Sequence, residues 1–127
     1  MSRRKVSPSE ALALVHEGYT YVDVRTESEF ADGHPAGAIN VPWLKDGPID
    51  PEPNEAFLET MTASFDRSAR LVVGCKAGAR SAKACDALEA AGFTAVVEQR
   101  AGFDGTRGTF GEIVEPGWKR CGLPVAT

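Results

Sequence analysis

The sequence predicts an α/β fold with a mainly parallel central sheet. Strand-like runs and helical patterns alternate along the chain, so successive strands are joined by helical crossovers. One run, "ARLVVGC" at 69–75, is apolar throughout, as a strand buried in a parallel sheet must be. Helix-start signals also follow strand-like runs at short range.

"SPSEALALVHEG" (7–18) opens with Ser7 as N-cap, Pro8 at the first helical position and Glu10 completing a capping box. Leu12, Val15 and His16 are expected to line one face, and Gly18 stops the helix. "YTYVDVR" (19–25) is rich in β-branched and aromatic residues and reads as a strand. "TESEF" (26–30) repeats the capping-box signature with Thr26 and Glu29, so a short helix follows. "GAINVPW" (37–43) reads as a short strand. Pro48, Pro51 and Pro53 make 45–55 an irregular surface connection. "NEAFLETMTASF" (54–65) is helical, with Phe57, Leu58, Met61 and Phe65 at three- and four-residue steps. "ARSAKACDALEAAG" (79–92) is a helix with Ala82, Cys85, Leu88 and Ala90 or Ala91 inward, ended by Gly92. "TAVVEQR" (94–100) is the last strand. The glycine-rich tail is expected to end in one short helical turn.

The 127 residues fit a single domain, 1–127, large enough to bury a core without disulfide or metal staples. A formal charge of −4 argues against an electrostatic grip on nucleic acid or an anionic membrane. No apolar run approaches the ~20 residues that span a bilayer, and the N-terminus lacks the apolar core of a signal peptide. The basic start, "SRRK", reads as a short solvated tail. Cys75, Cys85 and Cys121 show no pairable spacing, which suggests a reducing, cytoplasmic compartment and at least one free thiol. With His16 and His34 the only histidines and no C-x-x-C, neither a metal nor another cofactor is expected.

The chemistry gathers at "CKAGARS" (75–81). In parallel sheets ligands bind beyond the carboxyl ends of the strands, and Cys75 sits at such an end. A loop leading into a helix collects unpaired backbone N–H groups and the positive end of the helix dipole. Gly78 lets the chain curl without a Cβ clash, while Lys76 and Arg80 add full charges. A thiolate is favoured over a thiol in that cradle, and a persulfide or a small oxyanion fits the same donors. Cys85, by contrast, lies at core spacing on the following helix. Cys121 reads as partly exposed and incidental, the sharper alternative being a resolving thiol for Cys75.

Loop length separates two families with this geometry. Protein tyrosine phosphatases use C-x5-R, whose loop fits phosphate. Here four residues lie between Cys75 and Arg80, and the shorter loop suits a smaller group at the sulfur. At this point the chain resembles the single-domain rhodaneses, thiosulfate sulfurtransferases of the small bacterial and plant type. "YVDVRTESEFADGHPAGAINVP" resembles the family's first signature, "CKAGARS" its active-site loop, and "RAGFDGTRGTFGEIVEPGWKRCGLP" its glycine-rich end and tail. The three occur in the right order at ordinary spacing. Departures are "GHPAG" for GHIPG, which places Pro35 and Ala36 in that turn, and Ala101 at the first glycine of GGF. The tryptophan expected soon after is absent, and Asp104 and Gly105 take up that stretch.

The resemblance implies a rhodanese-like domain with a sheet of about five strands and helices on both faces. It implies that Cys75 takes sulfane sulfur from thiosulfate or a related anionic donor as a persulfide, then passes it to cyanide or a thiol. Backbone N–H groups of Lys76, Ala77, Gly78, Ala79, Arg80 and Ser81 would hold that sulfur. Arg80 orients the donor or braces the loop. Ser81 reads as a helix cap rather than a substrate contact. Asp23, Arg25 and Glu29 form a second charged cluster, in which Arg25 lines the pocket or belongs to an ion-pair network. His34 reads as structural. Trp43, Phe103 and Trp118 read as core or rim aromatics. Alternative functions are a persulfide carrier serving an acceptor protein, a phosphatase or arsenate reductase on the same fold, and a catalytically silent binding module.

Overall fold

The computed structural model describes residues 3–127. The elements in chain order are β1 (Lys5–Val6), α1 (Pro8–His16), β2 (Thr20–Asp23), α2 (Glu27–Asp32), β3 (His34–Pro35), β4 (Ile39–Asn40), β5 (Leu44–Lys45), β6 (Glu52–Pro53), α3 (Phe57–Ser64), β7 (Leu71–Gly74), α4 (Ala79–Ala90), β8 (Val96–Gln99), β9 (Gly105–Arg107), β10 (Ile113–Pro116) and β11 (Val125–Ala126). The central sheet runs β1-β8-β7-β2-β4, and every pairing in it is parallel. β7 is its middle strand.

Alternation along these strands feeds two cores. Val22, Leu71, Val73 and Val96 face Phe57 and Met61 of α3 and Ala84, Cys85 and Leu88 of α4. Tyr21, Val72 and Val97 face Ala11 and Leu14 of α1, with Phe103 and Trp118. A strand flanked on both sides has no polar face to show, which explains the unbroken apolar run at 71–73.

Several expectations change. Ser2 lies outside the described residues, and from Arg3 on the basic start is no solvated tail. Lys5 and Val6 pair with Glu98 and Gln99 as the edge strand β1, and Arg3 bonds to Glu98 at 2.8 Å and Asp86 at 2.9 Å, and also to Glu89. In α1 the inward residues are Ala11 and Leu14; Leu12 and Val15 flank them, and His16 is exposed. In α4, Ser81 and Ala84 are buried with Cys85 and Leu88, whereas Ala82 is half-buried. In α3, Leu58 is partly exposed and Phe65 only flanks the core. The 45–55 connection is bracketed by the antiparallel pair β5–β6. The tail forms the hairpin β9–β10 and a run of turns at 118–122, then returns along β3 as β11. No helix among the described residues is long and apolar enough to cross a membrane.

Gly74 shows how tightly β7 is placed before the functional loop. A Cβ there would collide with the hydroxyl of Tyr21. That ring is 3% exposed and its oxygen accepts a hydrogen bond from Gln99 Nε2 at 3.3 Å, so it has nowhere to go. Gly74→Ala is therefore expected to cost about 1–3 kcal/mol through overpacking. Tyr21→Phe in the same chain should recover part of that loss. Urea unfolding of the two variants checks this, and an unchanged midpoint for Gly74→Ala would contradict the packing described.

Candidate functional site

The carboxyl ends of β2, β7 and β8 meet at one edge of the sheet. After β7 the chain turns through Cys75–Gly78 into α4, whose N-cap is Gly78. α1 and α2 both begin with complete capping boxes, Ser7 with Glu10 and Thr26 with Glu29. α4 begins with no side-chain cap at all. Its first-turn N–H groups are left for something else. Gly78 has φ +101°, and a Cβ there would meet the carbonyl of Arg100. Only glycine fits that close approach.

The Cys75 sulfur is enclosed: the residue is 2% exposed. It accepts the Gly78 N–H at 3.1 Å. Its thiol donates to Ser81 Oγ at 3.4 Å, and the Ser81 hydroxyl donates to the Gly78 carbonyl at 3.0 Å. Ser81 is thus not the N-cap that the sequence suggested. It lies one turn into α4, fully buried, with its hydroxyl on the sulfur. A hydroxyl can rotate to serve either role, accepting from a thiol or donating to an anion.

The turn after β8 forms the facing wall. Phe103 N–H donates to the Cys75 carbonyl at 2.7 Å, and Asp104 N–H to the Lys76 carbonyl at 2.9 Å. Gly102, at φ +72°, lies so close to Cys75 and Lys76 that a Cβ would strike their carbonyls. Gln99 organises this turn from beneath. Its side-chain oxygen accepts the N–H groups of Ala101 and Gly102 at 2.8 and 2.9 Å, and its nitrogen donates to the Gly102 carbonyl at 3.0 Å. The departure at Ala101 is absorbed there, since that residue is fully buried.

The charged cluster of β2 and α2 divides in two. Arg25 pairs with Asp23 through Nη2 at 2.8 Å and donates to the Gly33 carbonyl at 2.6 Å. Its guanidinium carbon stands 4.3 Å from the centre of the Phe103 ring. Nη1 is hydrogen-bonded to no described residue, and Arg25 lines a cavity of about 210 Å³ with Glu29, Lys76 and Phe103. Arg25 therefore belongs both to an ion-pair network and to the cavity wall. Glu29 turns away from it and pairs with Arg80, at 2.6 Å to Nη1 and 3.1 Å to Nη2. That bidentate bond favours bracing over donor orientation for Arg80. Lys76 is exposed, with Nζ 3.8 Å from Asp104.

A model of the rhodanese-like domain matches residues 7–108. The chain belongs to the rhodanese family. It is 39% identical over 120 residues to thiosulfate sulfurtransferase 16 of Arabidopsis thaliana, covering 94% of this chain and 90% of that one. Thiosulfate sulfurtransferase GlpE of Haemophilus influenzae is 28% identical over 128 residues, covering 98% of its length. The crystal structure of Rv0390 from M. tuberculosis superimposes with a TM-score of 0.82 at 25% identity, over 99% of this chain and 98% of that one. In this rhodanese domain residues 75–78 join β7 to α4, and Ala79, Arg80 and Ser81 form the first turn of that helix. His34 is structural: Nδ1 bonds to the Phe30 carbonyl at 2.8 Å and the ring stacks on Phe30. Trp118 is core, and Trp43 packs edge-on against Phe57. Cys85 is fully buried, and burial pushes its thiol well up, so it stays neutral. Cys121 is exposed.

Gln99 was invisible as a functional residue, because a polar residue at a strand end carries no sequence signal. Asn40 is similar. Its Nδ2 ties the carbonyls of Asp23 and Arg25 together at 2.9 and 3.0 Å. Within the family's first signature it is simply the asparagine of "GAIN".

Burial alone would raise the Glu29 carboxyl, but the hydrogen bonds from Arg80 and Thr26 outweigh it. They hold it down from 4.5 to about 2. A folded-state value below the unfolded one stabilises above the unfolded value and is lost as pH falls through the folded one. The Glu29 contribution is thus whole above pH 4.5 and disappears between 4.5 and about 2. Solvent screening of this partly exposed pair keeps it near 1 kcal/mol. Glu29→Gln should flatten that part of the melting-temperature profile, and parallel profiles for both proteins would contradict the assignment.

Proposed function

We propose that this rhodanese domain, residues 1–127 as one unit, is a sulfurtransferase that carries sulfane sulfur as a persulfide on Cys75. The supporting observation is the uncapped N-terminus of α4 wrapped around an enclosed sulfur that already accepts the Gly78 N–H. The family signature and the relatives named thiosulfate sulfurtransferase agree with the reading.

In the first half-reaction the Cys75 thiolate attacks the outer sulfur of thiosulfate. A Cys75–S bond forms, the S–S bond of thiosulfate breaks, and its electron pair leaves with sulfite. The new terminal sulfur is anionic and extends into the loop. The Gly78 N–H already meets the sulfur, and the uncapped first-turn N–H groups of α4 are at hand for the new anion. The Ser81 hydroxyl turns from the Gly78 carbonyl toward the anion. Arg25 Nη1 and Lys76 meet the sulfonate end of the donor, while Glu29 keeps Arg80 as a brace for the loop. In the second half-reaction a nucleophile such as cyanide or a thiol removes the outer sulfur and returns the pair to Cys75. This is covalent catalysis with ping-pong kinetics. Three unpaired cysteines suit a reducing, cytoplasmic setting.

Intact mass after mixing with thiosulfate tests this directly. The expected gain is one sulfur, about 32 Da, absent from Cys75→Ser and discharged by cyanide. Exposed Cys121 should be replaced by serine in both samples so that its own chemistry adds nothing. No gain with thiosulfate or other sulfane donors would sink the reading. Ser81→Ala is expected to load sulfur roughly tenfold more slowly at neutral pH; an unaltered rate would remove Ser81 from the reaction.

A further inference from the structure

Sulfur chemistry at Cys75 accounts for the inner end of the open edge and leaves its outer rim unused. Beyond the 210 Å³ cavity at Arg25 and Lys76 lies a larger one, of about 350 Å³. It is lined by Phe103, Asp104, Arg107, Lys119 and Arg120. Phe103, Asp104 and Lys119 line both, so the two form neighbouring parts of one trough. Phe103 joins its apolar floor to Cys75 through their backbone bond.

The charge of this trough is out of keeping with the chain. The protein carries −4 overall, yet three cations meet one carboxylate at the outer cavity, and that carboxylate leans on Lys76. Elsewhere Arg3, Arg25, Arg80 and Arg100 are each matched with an acidic partner. Among the described residues Arg107, Lys119 and Arg120 have none, as is true also of Arg4, Lys5, Lys45, Arg67, Arg70 and Lys83, but these three converge on one cavity. Arg107 spends one nitrogen on the Gly111 carbonyl, at 2.9 Å, which steadies it on the hairpin. Unmatched like charges facing one cavity create a local positive field that an anion relieves. The volume matters too. At about 30 Å³ per water molecule the outer cavity equals roughly ten waters, far more than a thiosulfate ion occupies.

We propose that this trough is an acceptor subsite for a small thiol bearing two or more carboxylate or phosphate groups. Arg107, Lys119 and Arg120 hold the anionic tail, and the thiol end lies along Phe103 toward the Cys75 loop. The proposal rests on the persulfide reading above. The step is an exchange at sulfur. The acceptor thiolate attacks the outer sulfur of protonated Cys75 persulfide and forms a new S–S bond. The bond to Cys75 breaks, and its electron pair returns to Cys75 as thiolate. The acceptor leaves as its own persulfide, with no external oxidant or reductant.

The test uses sulfur-loaded protein carrying Cys121→Ser, discharged in parallel by mercaptosuccinate, 2-mercaptoethanol and cyanide. The Lys119→Gln/Arg120→Gln double variant leaves the hairpin bond of Arg107 in place. It should lower the ratio of the mercaptosuccinate rate to the cyanide rate by roughly tenfold. The ratio for uncharged 2-mercaptoethanol should stay where it was. Lys83→Gln, at an exposed cation of α4 that lines neither cavity, serves as the surface-charge control and should leave both ratios alone. A ratio untouched in the double variant, or lowered equally by Lys83→Gln, overturns the subsite in favour of a general field. A second arm does not depend on sulfur transfer. Titrating Cys75→Ser with succinate should give saturable amide shifts at 103–107 and 118–121 that the double variant loses; their absence overturns the subsite by itself. Failure of the persulfide reading shows instead as wild-type protein that never takes up sulfur, and the succinate titration then decides the subsite alone.

Discussion

Two backbone turns, 75–79 and 100–104, are pressed together more closely than side chains allow, and the functional edge is built around that contact. Gly78 stands against the carbonyl of Arg100, and Gly102 against those of Cys75 and Lys76. The bonds from Phe103 and Asp104 then lock the second turn onto the first. Because the approach is backbone to backbone, the position of Cys75 does not depend on flexible side chains. Buried Gln99 holds the second turn through three hydrogen bonds to its backbone. A buried amide satisfied on both its nitrogen and its oxygen rigidifies what it touches, whereas a half-satisfied one would weaken it. The loop around the sulfur therefore inherits its shape from β7, the most enclosed strand, and from β8 beside it.

The electrostatics follow a division of labour. Inner charges are matched: Arg25 with Asp23, Arg80 with Glu29, Arg3 with Glu98. These pairs tie the loop, α2 and the N-terminal strand to the sheet. Removing one partner of such a pair leaves the other uncompensated, so they serve geometry more than net stability. The helix ends follow the same division. α1 and α2 begin with capping boxes, whereas α3 and α4 have no side-chain cap, and of these two only α4 starts at the Cys75 loop. At the functional edge the uncapped start of α4 and three cations without an acidic partner occur together, and that is where an anion would be held.

The fold was legible in the sequence because its signals are local. The capping boxes at Ser7 and Thr26 mark helix starts through contacts three residues apart. The apolar run 71–73 announces a strand covered on both faces. Cys75 and Gly78 announced the loop by spacing alone. What went unread depends on distant partners. Lys5 and Val6 look like a tail until Glu98 and Gln99 offer a strand edge. Ser81 looks like a cap until the turn at Gly78 swings α4 so that its hydroxyl meets the Cys75 sulfur. Glu29 and Arg25 look like partners until Arg80, 51 residues away, takes the glutamate.

By itself, then, the sequence determined the order of the four helices and of β2, β4, β7 and β8, the parallel sheet, and the place of the thiol at a strand end, because periodicity, caps and glycines act within a few residues. Only the tertiary structure decided which charges are matched and which are left facing the trough, and that Gln99 and Asn40 shape the edge. Pairing of that kind is settled by distances across the sheet, and the pattern along one strand carries no information about the residue that will stand opposite.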